Sequence, residues 1–225
     1  MGYTLIYSQV TEYIPYLLAG AWISLQIVIL AFSGGMFFGL ILASIKTFGN
    51  LTLRRIVIFY VTFFTNTPQL VQIYFIFFAL PEIGILLSPF VAVLIGMTLN
   101  AAAYLCEIQR AGFLSIRQNE LDAARTMCFS IVQQVRFVIL PHIMKVLFPP
   151  LSNHYILMTL GTSMAAIFGV EELTGRAFNI NSETFRSVEI FSITALIYII
   201  ITFIATLLLA IIGKHFFKAK IRIIQ

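Results

Sequence analysis

Continuous apolar runs divided by short polar segments organise this chain. They cover residues 20–45, 56–80 and 83–106; a fourth starts near Phe137, is interrupted by Pro141, Pro149 and Pro150, and continues to about Val170; a fifth covers 190–212. About 20 apolar residues carry a helix across a hydrocarbon core of ~30 Å. The pattern therefore predicts an all-α membrane protein with about five transmembrane helices, the fourth long and broken, in a single membrane domain over 1–225. No internal repeat is evident, which argues against the inverted-repeat architecture of many secondary transporters.

Charge gives this array a direction. Lys46, Arg54 and Arg55 lie between the first two runs, Arg110, Arg117, Arg125, Arg136 and Lys145 between the third and fourth, and Lys214, Lys218, Lys220 and Arg222 after the fifth. Only Arg176 and Arg186 fall in the other loops. By the positive-inside rule the N-terminus is expected outside and the C-terminus in the cytoplasm, with Glu82, Glu171, Glu172, Glu183 and Glu189 facing outward. The stretch 171–188 reads as a polar outer loop that touches a soluble partner or is merely solvated.

Composition agrees: 10% of the 225 residues are charged and 60% hydrophobic, against about 25% charged in soluble domains. The first 16 residues carry Glu12 and no basic residue, unlike a secretory signal, so the first helix is expected to be retained. Cys106 and Cys128 fall near the cytoplasmic side, where thiols stay reduced. His142, His154 and His215 have no ligand spacing with each other or with the cysteines, so no metal site is expected. There is no Gly-x4-Gly-Lys-Ser/Thr loop for nucleotide phosphates and no Gly-x-Ser-x-Gly elbow, so no catalytic residue is assigned and no cofactor is expected in this chain. The net charge of +5 is accounted for by loop placement and gives no reason to invoke nucleic acid.

Polar residues inside the runs are the candidate chemistry. Thr65-Asn66-Thr67-Pro68-Gln69 interrupts the second run, and a proline there frees backbone groups that protein or a wet cavity must satisfy. Asn66, Gln69 and Gln72 form one polar stripe; Asn100, Tyr104 and Glu107 share a helical face in the third run; Thr162 and Ser163 add hydroxyls in the fourth. Amides and hydroxyls at such depth suit the ammonium and carboxylate of a small zwitterion, and equally suit a helix–helix polar clasp. Glu107 has Arg110 at i+3 as a partner, or snorkels to the interface.

The segment 115–136 is a polar, helix-favouring island carrying Glu120, Asp122 and Arg125. Its spacing, Asp122-Ala123-Ala124, three residues, Cys128, nine residues, then Val138-Ile139-Leu140-Pro141, resembles the cytoplasmic EAA loop of ABC importer permeases, Glu-Ala-Ala-x3-Gly-x9-Ile-x-Leu-Pro. Asp122 and Val138 keep charge or shape, whereas Cys128 stands where the pattern has glycine and lacks glycine's freedom at positive φ. With Thr67-Pro68-Gln69-Leu70-Val71-Gln72, Leu99-Asn100-Ala101-Ala102-Ala103-Tyr104, Thr162-Ser163 and Gly169-Val170-Glu171-Glu172-Leu173, the order and spacing from about 20 to 215 look like the permease subunits of polar amino acid ABC importers, the histidine, glutamine, glutamate and arginine uptake family.

That resemblance implies a type I importer permease in the bacterial inner membrane, a second permease subunit, two ATP-binding subunits that carry ATP and Mg, and an extracytoplasmic amino-acid-binding protein. It assigns substrate contacts to Asn66, Gln69, Gln72, Asn100, Tyr104, Glu107, Thr162 and Ser163, and ATPase coupling to Glu120, Asp122, Ala123, Ala124, Arg125 and Cys128. The family often has a basic residue before Asn66-Thr67 and Lys-Asp where this chain has Leu160-Gly161, so a heterodimer with a partner that keeps those charges is favoured over a homodimer. An ion-coupled carrier or channel subunit, and a scaffolding anchor, are the alternatives.

Overall fold

The computed structural model describes residues 4–217 and is helical throughout its main elements. In chain order these are α1 (Ile14–Phe48), α2 (Leu51–Thr65), α3 (Gln69–Tyr74), α4 (Pro89–Leu114), α5 (Gln118–Thr126), α6 (Ile131–Gln134), α7 (Leu140–Gly161), α8 (Leu173–Thr184) and α9 (Ser187–Ile212). Four helical stretches are long and apolar enough to cross a membrane, and α2 with α3, bent by 103°, makes a fifth if counted as one broken span. Lys218, Lys220 and Arg222 of the charge pattern lie outside the described residues.

The frame is α1 against α4. Gly35 and Gly39 of α1 bring the two backbones together: a Cβ on Gly35 would stand 2.6 Å from the Ala101 Cβ, and one on Gly39 3.1 Å from the Ala102 carbonyl oxygen. Small residues at a crossing are how helices associate where lipid removes the hydrophobic drive. Ile27, Val28, Ala31, Val93, Met97, Ala101 and Leu105 fill this seam, and Ile73 of α3, Met158 of α7, and Ala165 and Phe168 after it close the core. The outer faces carry exposed apolar side chains, such as Trp22, Phe37, Phe59 and Phe203, as surfaces for lipid or for another subunit must.

Helix ends follow local chemistry. Pro15 starts α1, the Asn50 side chain accepts from the Leu53 amide to cap α2, and Ser88 with Pro89 opens α4. The third helix therefore begins at Pro89, and residues 83–88 of the third apolar run lie before it. The first helix is longer than its apolar run at both ends.

Two expectations are corrected. Helix continues through Pro141, Pro149 and Pro150 without interruption from Ile131 to Phe168. A π-helical turn over Val135–Ile139 sits immediately before Pro141, and such a turn loosens the hydrogen-bond ladder that a proline would otherwise break. The stretch 171–188 is not an extended loop: it folds as α8, whose Leu173, Ala177 and Ile180 are buried against Leu17 and Ala21 of α1 and Ile190 of α9.

Two carboxylates near the ends of this segment are enclosed by the protein. Glu172 and Glu189 are fully buried. Glu189 accepts from Arg186 at 3.2 Å and from the Ile6 amide at 3.0 Å. Glu172 caps α8, accepting from the Thr174 and Gly175 amides at 2.9 and 3.0 Å, from Ser24 of α1 at 2.8 Å and from Tyr198 of α9 at 2.9 Å. One carboxyl group thus ties three helices together.

Burial pushes the Glu172 carboxyl up from its ordinary 4.5, outweighing the hydrogen bonds that favour its charge. The folded chain then holds this proton more tightly than the unfolded chain, so its contribution to stability is complete below that ordinary value and declines as pH rises above it. Melting temperatures of the purified protein across this range should show the decline, and Glu172→Gln, neutral at every pH, should flatten it. An unchanged slope in the variant would contradict this assignment.

Candidate translocation path and coupling surface

The break between α2 and α3 gathers most of the expected polar residues. Pro68 offers no amide and Thr67 before it is biased away from helix, so the last carbonyls of α2 lose their partners. Side chains replace them. Gln72 Nε2 donates to the carbonyls of Phe64 and Thr67 at 3.0 and 3.1 Å and to Thr67 Oγ1 at 2.7 Å. Asn100 Nδ2 of α4 donates to the Phe64 carbonyl at 3.2 Å and to Gln72 Oε1 at 3.0 Å. Tyr104 donates to the Thr65 carbonyl at 3.3 Å, and Asn66 turns back to the Thr62 carbonyl at 2.8 Å. An apolar cavity of about 300 Å³, walled by Phe63, Phe64, Val71, Phe75 and Leu99, lies in the elbow.

Gln72 and Asn100 are buried and their amide donors are occupied by this clasp, whereas Asn66 and Tyr104 are exposed and Gln69 is half-buried. Gln69 abuts the end of α7: its Oε1 would stand 3.7 Å from a Cβ on Gly161. Thr162 and Ser163 follow there, donating to the Thr159 and Leu160 carbonyls at 2.8 Å each, Thr162 buried and Ser163 half-buried. His154 of α7 lies beside Tyr104 with ring centroids 5.6 Å apart, and its Nε2 is buried without a hydrogen-bond partner among the described residues. Sequence reading passed over His154 because it looked for metal spacing.

Glu107 stands apart from this group. It accepts from Arg110 at 2.9 and 3.1 Å, as the i+3 spacing suggests, and also from Lys46 of α1, a pairing across 61 positions that no local pattern reveals.

The residues expected to couple to an ATPase form a separate surface. α5 lies between the end of α4 and the start of the next long helix, with Ala124 buried beneath it and Asp122, Ala123, Arg125 and Cys128 exposed. Asp122 accepts from Arg125 at 3.1 Å and Gln118 at 3.0 Å. Glu120 lies 3.6 Å from His142 Nδ1, and the other ring nitrogen of His142 is 3.1 Å from the Ser115 carbonyl, so one imidazole pins α5 to its base. Cys128 takes the turn expected of glycine, at φ 56°. The Phe129 amide donates to the Ala124 carbonyl at 3.1 Å and the Cys128 amide to that of Arg125 at 2.9 Å, the two bonds of a Schellman closure. Exposed Met127, Ile131, Val132 and Phe137 continue this surface beyond the turn.

A family model described as the binding-protein-dependent transport system inner membrane component matches residues 35–218. The chain belongs to this family. It is therefore a membrane-embedded subunit that works with other ABC components and has no catalytic activity of its own. It is 34% identical over 205 residues to the glutamine transport system permease protein GlnP of Escherichia coli K12, covering 90% of this chain and 94% of the relative. It is 35% identical to the octopine transport system permease protein OccM of Rhizobium meliloti (87% of this chain, 84% of the relative) and 34% identical to the L-cystine permease protein TcyB of Bacillus subtilis (89% and 86%). A solved structure described as an amino acid ABC transporter with histidines superposes at a TM-score of 0.87, with 28% identity, over 94% of this chain and 99% of that one. An inward-facing MetNI methionine transporter shares the fold, at a TM-score of 0.73 and 18% identity over 91% and 97% of the two chains.

Two outcomes are expected from this geometry. Gln72→Leu keeps the volume but strands the Thr67 carbonyl and leaves that of Phe64 to Asn100 alone, a cost of about 1–3 kcal/mol per unsatisfied group; the melting temperature should fall, and Val71→Leu, on the exposed side of the same turn, should leave it unchanged. Cys128→Gly should relieve ~1 kcal/mol of left-handed strain, while Cys128→Val should add to it; proteolysis of the 126–131 turn, slowed in the first and hastened in the second, reports the difference.

Proposed function

We propose that this chain is the permease subunit of an ATP-driven importer for a polar L-amino acid, with its N-terminus outside and its C-terminus in the cytoplasm. The relatives are named for glutamine, octopine and L-cystine transport, solutes that carry the ammonium and carboxylate groups amides and hydroxyls can recognise. The positive-inside rule supports the orientation, since α5 and its basic neighbours then lie in the cytoplasm and α8 outside.

The observation that carries the reading is α5. A short polar helix, closed by a Schellman turn and held by Glu120 to His142, presents Asp122, Ala123 and Arg125 to solvent between two long apolar helices. Such an element has no role in crossing the bilayer and suits a groove in one of two cytoplasmic ATP-binding subunits, which hold ATP and Mg. Their motion reaches α4 and α7 directly through its two ends. Asn66, Gln69, Tyr104, Thr162 and Ser163 flank the path on the membrane side of that lever, with Gln72 and Asn100 holding its wall, while Glu107, expected among them, is held apart by Lys46 and Arg110. On the opposite end, Phe178 of α8 and Phe185 just after it are exposed, a surface for the amino-acid-binding protein.

A second permease completes the path, and a heterodimer is favoured. No basic side chain stands at Asn66, Gln69, Gly161 or Ser163 to meet a substrate carboxylate, so the partner supplies it. Transport of the same amino acid by a complex containing this chain as its sole permease would overturn that preference.

The test of function is uptake into vesicles containing the purified complex, with binding protein outside, ATP inside and ion gradients collapsed. ATP-dependent amino acid accumulation supports the importer; uptake that follows only an imposed ion gradient overturns it in favour of a secondary carrier. Within that assay Asp122→Lys, which reverses charge on the docking face and leaves the apolar helices untouched, should lower stimulated hydrolysis and uptake about tenfold or more, in line with the loss of a charge-assisted contact of ~1.5–3 kcal/mol, with the melting temperature of the permease unchanged.

A further inference from the structure

The ends of α1, α2 and α4 enclose a small cavity of about 130 Å³ lined by Lys46, Thr47, Arg54, Arg110 and Leu114. We infer that this cavity binds the phosphate of an anionic phospholipid headgroup. None of its lining residues belongs to the clasp or to α5, and the inference does not depend on which solute is carried.

The charge there is unbalanced. Three cations meet one carboxylate, Glu107, which takes Lys46 and both Nε and one Nη of Arg110. Lys46 keeps two of its three ammonium hydrogens, Arg110 keeps its other Nη, and Arg54 makes no ion pair among the described residues. Thr47 contributes no free donor, because its hydroxyl already donates to the Ala43 carbonyl at 2.7 Å. The wall thus offers a surplus of N–H donors and a net charge of two, with Lys46 and Arg110 held in place by Glu107. A tetrahedral phosphate diester answers that donor set, accepting from Arg110 and Arg54 and balancing one of the two charges.

The surroundings select a lipid as the source. Phe48, Leu51 and Leu114, at the three helix ends, are 77%, 63% and 62% exposed, and Phe48 stacks near Phe113 with centroids 5.9 Å apart. Exposed apolar side chains beside a basic cavity at the end of membrane helices accommodate acyl chains below and a headgroup above. A free inorganic anion gains nothing from that apolar rim.

The experiment uses the chain with the subunits that purify with it, stripped in detergent and re-equilibrated with equimolar phosphatidylglycerol and phosphatidylethanolamine, with retained lipid counted by mass spectrometry. Phosphatidylglycerol should be enriched. Arg54→Gln should lower that enrichment about fivefold, the worth of one basic side chain beside anionic lipid. Arg54→Lys should restore most of it. Arg55→Gln removes the same charge next door but outside the cavity, and should have no effect. Absence of enrichment, or equal loss in Arg54→Gln and Arg55→Gln, would overturn the site, since general surface attraction would explain it. Displacement of the lipid by inorganic phosphate at equal concentration would overturn the lipid assignment in favour of a free anion.

Discussion

A carbonyl without a donor is the constraint on which this fold turns. In hydrocarbon no water repairs a broken helix, so the 103° bend at Asn66–Pro68 exists only because Gln72 and Asn100 reach the Phe64 and Thr67 carbonyls. Asn100 is held in turn by α4, and α4 by its glycine-mediated contact with α1. The bend, the elbow cavity beside it and the approach of Gln69 to Gly161 therefore form one mechanical unit. Glu172 plays the corresponding part at the other end, where a single carboxyl joins α1, α8 and α9.

Polar residues in the membrane thus divide by what they have left to give. Gln72 and Asn100 are buried with their donors spent, Glu107 is enclosed by two cations, and Gln69, Tyr104 and Ser163 remain at least partly exposed. The same division separates the proposed path from the proposed lever: among the described residues α5 makes no hydrogen bond to the clasp, and α4 and α7 join the two. The proposed mechanism uses that arrangement, with a driving subunit acting at the end of a helix and the solute passing along its middle.

Sequence made the long helices legible because apolar length is a direct bilayer requirement, and it located the break because Thr-Asn-Thr-Pro-Gln disrupts a helix locally. Pairing of Asn100 with Gln72 was legible only as a choice between substrate contact and clasp, since both need the same amides. The prolines near 141–150 misled: whether a proline breaks a helix depends on the neighbouring turn, and the π turn before Pro141 left no trace in composition. α8 was missed although Leu173, Ala177 and Ile180 carry helical spacing, because the polar residues between them dominate the stretch. Cys128 shows the reverse case, a position whose backbone follows the loop pattern even though its side chain does not.

The account stands or falls on whether a separate ATPase grips this chain. Affinity purification in mild detergent, with mass spectrometry of everything retained, measures that directly. The expected result is an ATP-binding subunit together with a second, different permease. Recovery of the folded chain with neither would contradict the account and leave a stand-alone carrier.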